Sequence, residues 1–163
     1  MKNDPSGIKE LNLFSGFSEC GLREFQKTFR SVSFSAGDVI FREGAGGSTF
    51  FVIISGEVAI EKKLDKAGKR YKRLASMNRG DFFGEMAVLE DRPRYAQARA
   101  VSDTELFELE RSSLLEFIKK CPEEGSGMLI EIIFVILKRL RHTSDELMAA
   151  HGFMEVLAKY KKK

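Results

Sequence analysis

Cysteine and histidine are scarce in this chain, two of each in 163 residues, and neither pair is spaced for chemistry. Cys20 and Cys121 stand alone, without metal-ligand spacing or a second pair, which reads as reduced thiols in a cytoplasmic protein rather than a disulfide framework. His142 and His151 have no cysteine or carboxylate at metal spacing, so no metal site is expected. Charge of one sign is also lacking. The net charge is +3, from 27 basic and 24 acidic residues, too balanced to argue for nucleic acid. Long apolar runs are absent as well. The longest, Met128 to Leu137, is interrupted by Glu131 and falls far short of the roughly 20 residues that span a bilayer. Met1 to Gly7 holds no apolar core of a secretory leader. Ser55-Gly56-Glu57 lacks the surroundings of a nucleophile elbow. No group of residues supplies nucleophile, base and orienter, so the chain is read as non-enzymatic.

What is present is the composition of an ordinary globular protein, 43% hydrophobic and 31% charged, read as a single domain over residues 1–163. Apolar residues from Ile8 to about Phe29 follow a helical period, with Ser18 as a candidate N-cap. From Val32 to Glu110 the pattern changes to short apolar or alternating runs divided by glycines. It predicts strands at 32–34, 39–42, 50–55, 57–62, 71–77, 81–83, 95–100 and 105–109, arranged as an antiparallel roll or barrel. Lys62, Lys63, Lys66, Lys69, Arg70, Lys72 and Arg73 surround Gly68. That segment is a solvated hairpin tip or a docking patch for an acidic partner.

Helical spacing returns after Glu110. Ser113 and Glu116 fit a capping box that opens a short helix over 111–121. Glu123 to Gly127 reads as a glycine-containing break, followed by a helix over 127–160. Ile133, Leu140, Leu147 and Met154 recur every seven residues, with Ile136, Thr143, Ala150 and Leu157 three positions later. Such a seam predicts a homodimer, because a helix of about thirty residues, roughly 45 Å, outreaches a small roll. Gly152 weakens that helix by about 1 kcal/mol relative to alanine.

The densest chemistry lies in Phe83-Gly84-Glu85-Met86-Ala87, followed by Pro93-Arg94-Tyr95-Ala96. Gly84 allows close backbone approach, and a helical turn after it would point N–H groups at an anion. Arg94 offers a planar fork for two phosphate oxygens. Glu85 cannot favour a phosphate, but it can accept from a ribose hydroxyl. Carboxylate for sugar and arginine for phosphate together point to a bound nucleotide.

This stretch resembles the phosphate-binding cassette of cyclic nucleotide-binding domains, here residues 82–96. Gly37-Asp38 to Gly44 and Phe50 to Val58 are similar to the strands and glycine turns of that family's β-roll. The resemblance implies an α+β fold: an antiparallel, jelly-roll-like β-roll over 31–110, N-terminal helices over 8–30 and a long C-terminal dimerisation helix. It implies cAMP, possibly cGMP, as ligand, with no cofactor, and Phe83, Gly84, Glu85, Met86, Ala87, Arg94, Tyr95 and Ala96 around it. The segment Lys138 to Leu147 resembles the dimer helix of the bacterial cAMP receptor proteins. That likeness implies that Thr143 and Ser144 contact the base, although Thr143 also reads as a polar residue that sets register. Tyr95 departs from the family, which places a small residue there. A phenol at that position swings away, reaches the phosphate or crowds the pocket. No recognition helix fits before Lys163, so no DNA binding is expected, and the effector is an unidentified protein. The alternatives are a ligand-free scaffold and the sensor portion of a transcription regulator.

Overall fold

The central strand explains the longest apolar run of the roll. Phe50 to Ile54 carries no alternating polar positions because both faces of this strand are covered. Phe50 and Val52 pack towards the helices, while Phe51 and Ile53 point into the space between two sheets. The chain is described from a computed structural model at residues 11–65, 70–90 and 92–160. It begins with a 3-10 turn, Asn12–Phe14, and a helix α1, Glu19–Phe25. Eight strands follow: β1 Phe29–Phe34, β2 Val39–Phe41, β3 Thr49–Ser55, β4 Val58–Lys63, β5 Tyr71–Met77, β6 Phe82–Phe83, β7 Gln97–Ala100 and β8 Thr104–Glu110. Helix α2, Glu85–Glu90, interrupts them, and α3, Arg111–Lys120, and α4, Pro122–Tyr160, close the chain.

All pairings are antiparallel, in two four-stranded sheets of order β1-β8-β3-β6 and β2-β7-β4-β5. The fold is therefore α+β, an antiparallel roll with helices before and after it. Between the sheets lie Phe51, Ile53, Val58, Phe83, Ala98 and Leu106. Outside the first sheet, Phe14, Phe17, Phe25 and Phe117 join Met128 and Ile132 in a second cluster that clamps the helices to the roll. Ser18 caps α1 as expected, its hydroxyl accepting from Gly21 N at 3.0 Å.

Gly56 fixes the turn between β3 and β4. Its φ is +89°, and an added Cβ would lie 2.4 Å from the Asp103 carbonyl oxygen. Gly56→Ala is expected to destabilise the fold by at least about 1–2 kcal/mol, read as a lower midpoint in urea.

Three expectations need correction. Phe29 opens β1 opposite Leu109 instead of ending a helix. Ser113 does not cap α3, which starts at Arg111. The Arg111 N–H is satisfied by Ser48 O at 2.8 Å, so β8 passes directly into the helix without a capping side chain. Nor is there a break at 123–127. Helix α4 starts at Pro122, a residue suited to the first turn, and runs through both glycines. Gly125 serves contact rather than flexibility, since a Cβ there would lie 2.8 Å from Ile118 Cα.

The companion row of the seam also shifts. Ile133, Leu140, Leu147 and Met154 are exposed as expected, but Ile136 packs against the roll's own core. Exposed Ile130 and Leu137, with Ser144 next at the same spacing, flank the row on its free side. Beyond Arg141 every residue of α4 is exposed, so the helix projects about 30 Å past the roll. No described helix is long and apolar enough to cross a membrane. Ile8, the hairpin residues Lys66, Gly68 and Lys69, and the terminal lysines lie outside the described residues.

Candidate ligand-binding cavity

The cavity forms where β6 turns into α2. Phe83 is buried and stacks on Phe51, with ring centroids 5.2 Å apart. The chain then turns through Gly84, whose φ is +83°. A Cβ there would lie 2.7 Å from Arg94 Nη1 and 2.9 Å from Thr49 O, so no side chain fits without displacing the guanidinium. Glu85, Met86 and Ala87 follow as the first turn of α2. The segment carrying Arg94 is fixed by two backbone bonds to the loop opposite, Gly44 N to Arg94 O and Arg94 N to Ala45 O, both 2.8 Å.

Arg94 is the unusual residue of the site. It is 4% exposed, yet among the described residues no carboxylate pairs with it. Nη1 donates to Thr49 O at 2.8 Å and Gly84 O at 3.1 Å, and Nη2 to Thr49 Oγ1 at 2.6 Å. The guanidinium carbon lies 4.1 Å from the Phe41 ring centroid. Its Nε is buried without a partner. Burial lowers the arginine pKa from its ordinary value, opposed by the fields of Glu108 and Glu85. A buried cation without a counter-ion costs free energy, and an arriving anion offsets that cost.

Glu85 is largely buried and lies 3.3 Å from Arg139 Nη1, on α4. Arg139 also donates to Phe82 O at 2.7 Å and sits 4.9 Å from the Phe82 ring centroid. One side chain thus ties the C-terminal helix to both ends of the β6–α2 turn. Sequence reasoning missed Arg139. The available signal was its place one helical turn before Thr143, whose hydroxyl donates to Arg139 O at 3.0 Å.

The Tyr95 ring packs against Lys62. Lys62 Nζ lies 3.8 Å from its ring centroid, donates to its carbonyl and pairs with Glu43 at 3.3 Å. Phe83, Gly84, Glu85, Met86, Ala87, Arg94, Tyr95 and Ala96 all line one cavity, joined by Phe41, Ile60, Met77 and Arg139. Thr143 and Ser144 are exposed and lie outside that lining within a single chain. Asp81 holds a turn by accepting from Asn78 N at 2.8 Å, and exposed Arg92 pairs with Glu90 at 3.8 Å. Among the described residues no cluster could hold a metal ion.

The site is thus a partly aromatic cavity in a two-sheet roll, holding a buried guanidinium that has no carboxylate partner among the described residues. The chain belongs to the cyclic nucleotide-binding domain family, whose model matches residues 31–121. It is 36% identical over 120 residues to a cGMP-dependent protein kinase of Toxoplasma gondii, covering 73% of this chain and 11% of the kinase. It is 27% identical over 140 residues to a CRP-like cAMP-activated global transcriptional regulator of Mycobacterium tuberculosis, covering 86% of this chain and 60% of the regulator. The chain therefore spans less than two thirds of these curated relatives. Among solved structures, Thermus thermophilus catabolite activator protein superposes with a TM-score of 0.70 at 30% identity, over 83% of this chain and 61% of that one. A cyclic nucleotide-binding domain from Methylobacillus flagellatus shares the fold with a TM-score of 0.75 at 24% identity, over 88% and 79% of the two chains.

Proposed function

We propose that this chain is a non-enzymatic sensor of cAMP, acting in the cytoplasm as a homodimer joined through α4. The observation that carries the reading is Arg94, buried, without a carboxylate partner among the described residues and with an unpartnered Nε. A cyclic phosphate supplies the missing negative charge, helped by the N–H groups that follow Gly84. Glu85 then accepts from the ribose 2′-hydroxyl. Two unpaired cysteines suit a reducing compartment.

In the dimer the exposed row Ile133, Leu140, Leu147 and Met154 is covered by its counterpart. Thr143 and Ser144, one helical turn beyond Arg139, then close over the base, one residue from each subunit. The Glu85–Arg139 pair is the coupling. A ribose hydroxyl arriving at Glu85 competes with Arg139, so occupancy of the cavity shifts the population of α4 positions. The shift in α4 is the signal that an effector protein reads.

Thermal melting tests the reading. cAMP at about 100 times its Kd is expected to raise Tm by roughly 5–10 °C. An unchanged Tm at millimolar cAMP and cGMP, with the dimer intact, contradicts it and favours a ligand-free scaffold.

A further inference from the structure

Strand β4 places Val58, Ile60 and Lys62 on one face by its period of two. Val58 and Ile60 pack between the sheets, and Lys62 continues that face to the rim of the cavity. Directly opposite Lys62 on β5 stands Lys72, a like-charge pair that disfavours the ladder. Lys62 is drawn off this repulsion by Glu43 and by the Tyr95 ring and carbonyl. One face of the tyrosine is thereby covered by an ammonium group. The residue remains 57% exposed while still lining the cavity. Arg94, Glu85 and Arg139 supply the polar groups suited to a sugar phosphate. Phe41, Ile60, Met86 and Tyr95 supply the apolar and aromatic part suited to a base.

We propose that Tyr95, braced by Lys62, is a stacking platform for the nucleotide base. The inference rests on the cyclic-nucleotide reading and adds to it a residue and a rule of selectivity. Stacking uses the π-face that every base has, so it favours adenine and guanine alike. Tyr95 therefore contributes equally to cAMP and cGMP affinity, and discrimination between them falls to the hydroxyls of α4. A tyrosine here is a working substitution, not an obstruction.

The test is calorimetric titration of the full chain and its Tyr95→Ala, Tyr95→Phe and Tyr95→Trp variants with cAMP and with cGMP. Tyr95→Ala is expected to weaken both ligands by about tenfold and by the same factor. Tyr95→Phe keeps wild-type affinity because the ring is retained. The chain has no tryptophan, so Tyr95→Trp introduces its one indole, whose emission is expected to be quenched as a base stacks on it. Unchanged or tighter binding by Tyr95→Ala overturns the platform while leaving the nucleotide site standing. Loss in Tyr95→Phe equal to that in Tyr95→Ala also overturns it, by assigning the role to the hydroxyl. Silence of the folded wild-type chain and of every variant removes the nucleotide reading and the platform with it.

Discussion

Arg94→Ala is expected to weaken cAMP binding by about 2–5 kcal/mol, a loss of roughly 30- to 5,000-fold. The magnitude follows from burial. The guanidinium sits between Gly47 and Gly84, each of which would bring a Cβ to 3.0 Å or closer, and it is 4% exposed. Removing it leaves Arg139, already paired with Glu85, as the remaining cation among the described residues that line the cavity. Arg94→Lys separates charge from geometry. An ammonium retains the charge but has only three N–H groups in place of five, too few to serve Thr49 O, Thr49 Oγ1, Gly84 O and a phosphate together, so an intermediate loss is expected. Titration calorimetry measures both, and circular dichroism checks that the roll persists without the bonds to Thr49 and Gly84. Wild-type affinity in a folded Arg94→Ala variant removes this residue from the site.

The second large effect concerns assembly. Leu140 is 60% exposed on α4, so replacing it with lysine leaves the folded chain without a new clash or cavity. In a dimer built on the α4 seam, the same substitution buries two opposed ammonium groups. Each costs about 3–5 kcal/mol when unpaired, so the dimer dissociation constant is expected to rise by roughly a hundredfold or more. Sedimentation velocity at micromolar concentration reads the change as a shift from dimer to monomer. A Leu140→Lys variant that stays dimeric places the interface elsewhere. On the proposal that Thr143 and Ser144 close over the base only within that dimer, the monomeric variant is also expected to bind cAMP more weakly.

Local features were legible in the sequence, and features set by packing were not. The cavity was readable because eight of its residues fall in the short stretch from Phe83 to Ala96, where backbone turn, carboxylate and arginine are neighbours along the chain. Strand β5 was readable from its apolar and turn pattern down to its end residues. Arg139 was not, because its partners Glu85 and Phe82 lie 54 and 57 positions away and meet it only when α4 crosses the roll. Gly125 misled for a related reason. A glycine that permits close helix packing carries the same letter as one that ends a helix, and only the position of Ile118 distinguishes them. The exposed row Ile133, Leu140, Leu147 and Met154 was visible as a heptad. Which neighbouring row is left exposed depended on the side of α4 that packs against the core through Ile132 and Ile136. The side-chain position of Tyr95 was undetermined for want of Lys62 and Glu43, which come from β4 and from the chain just past β2.

The most direct measurement is isothermal titration of cAMP into the nucleotide-stripped 163-residue chain. Saturable binding of one cAMP per chain at micromolar concentration or below is the predicted result. A flat titration with cAMP and cGMP, from protein shown to be folded, would contradict the sensor reading at its centre.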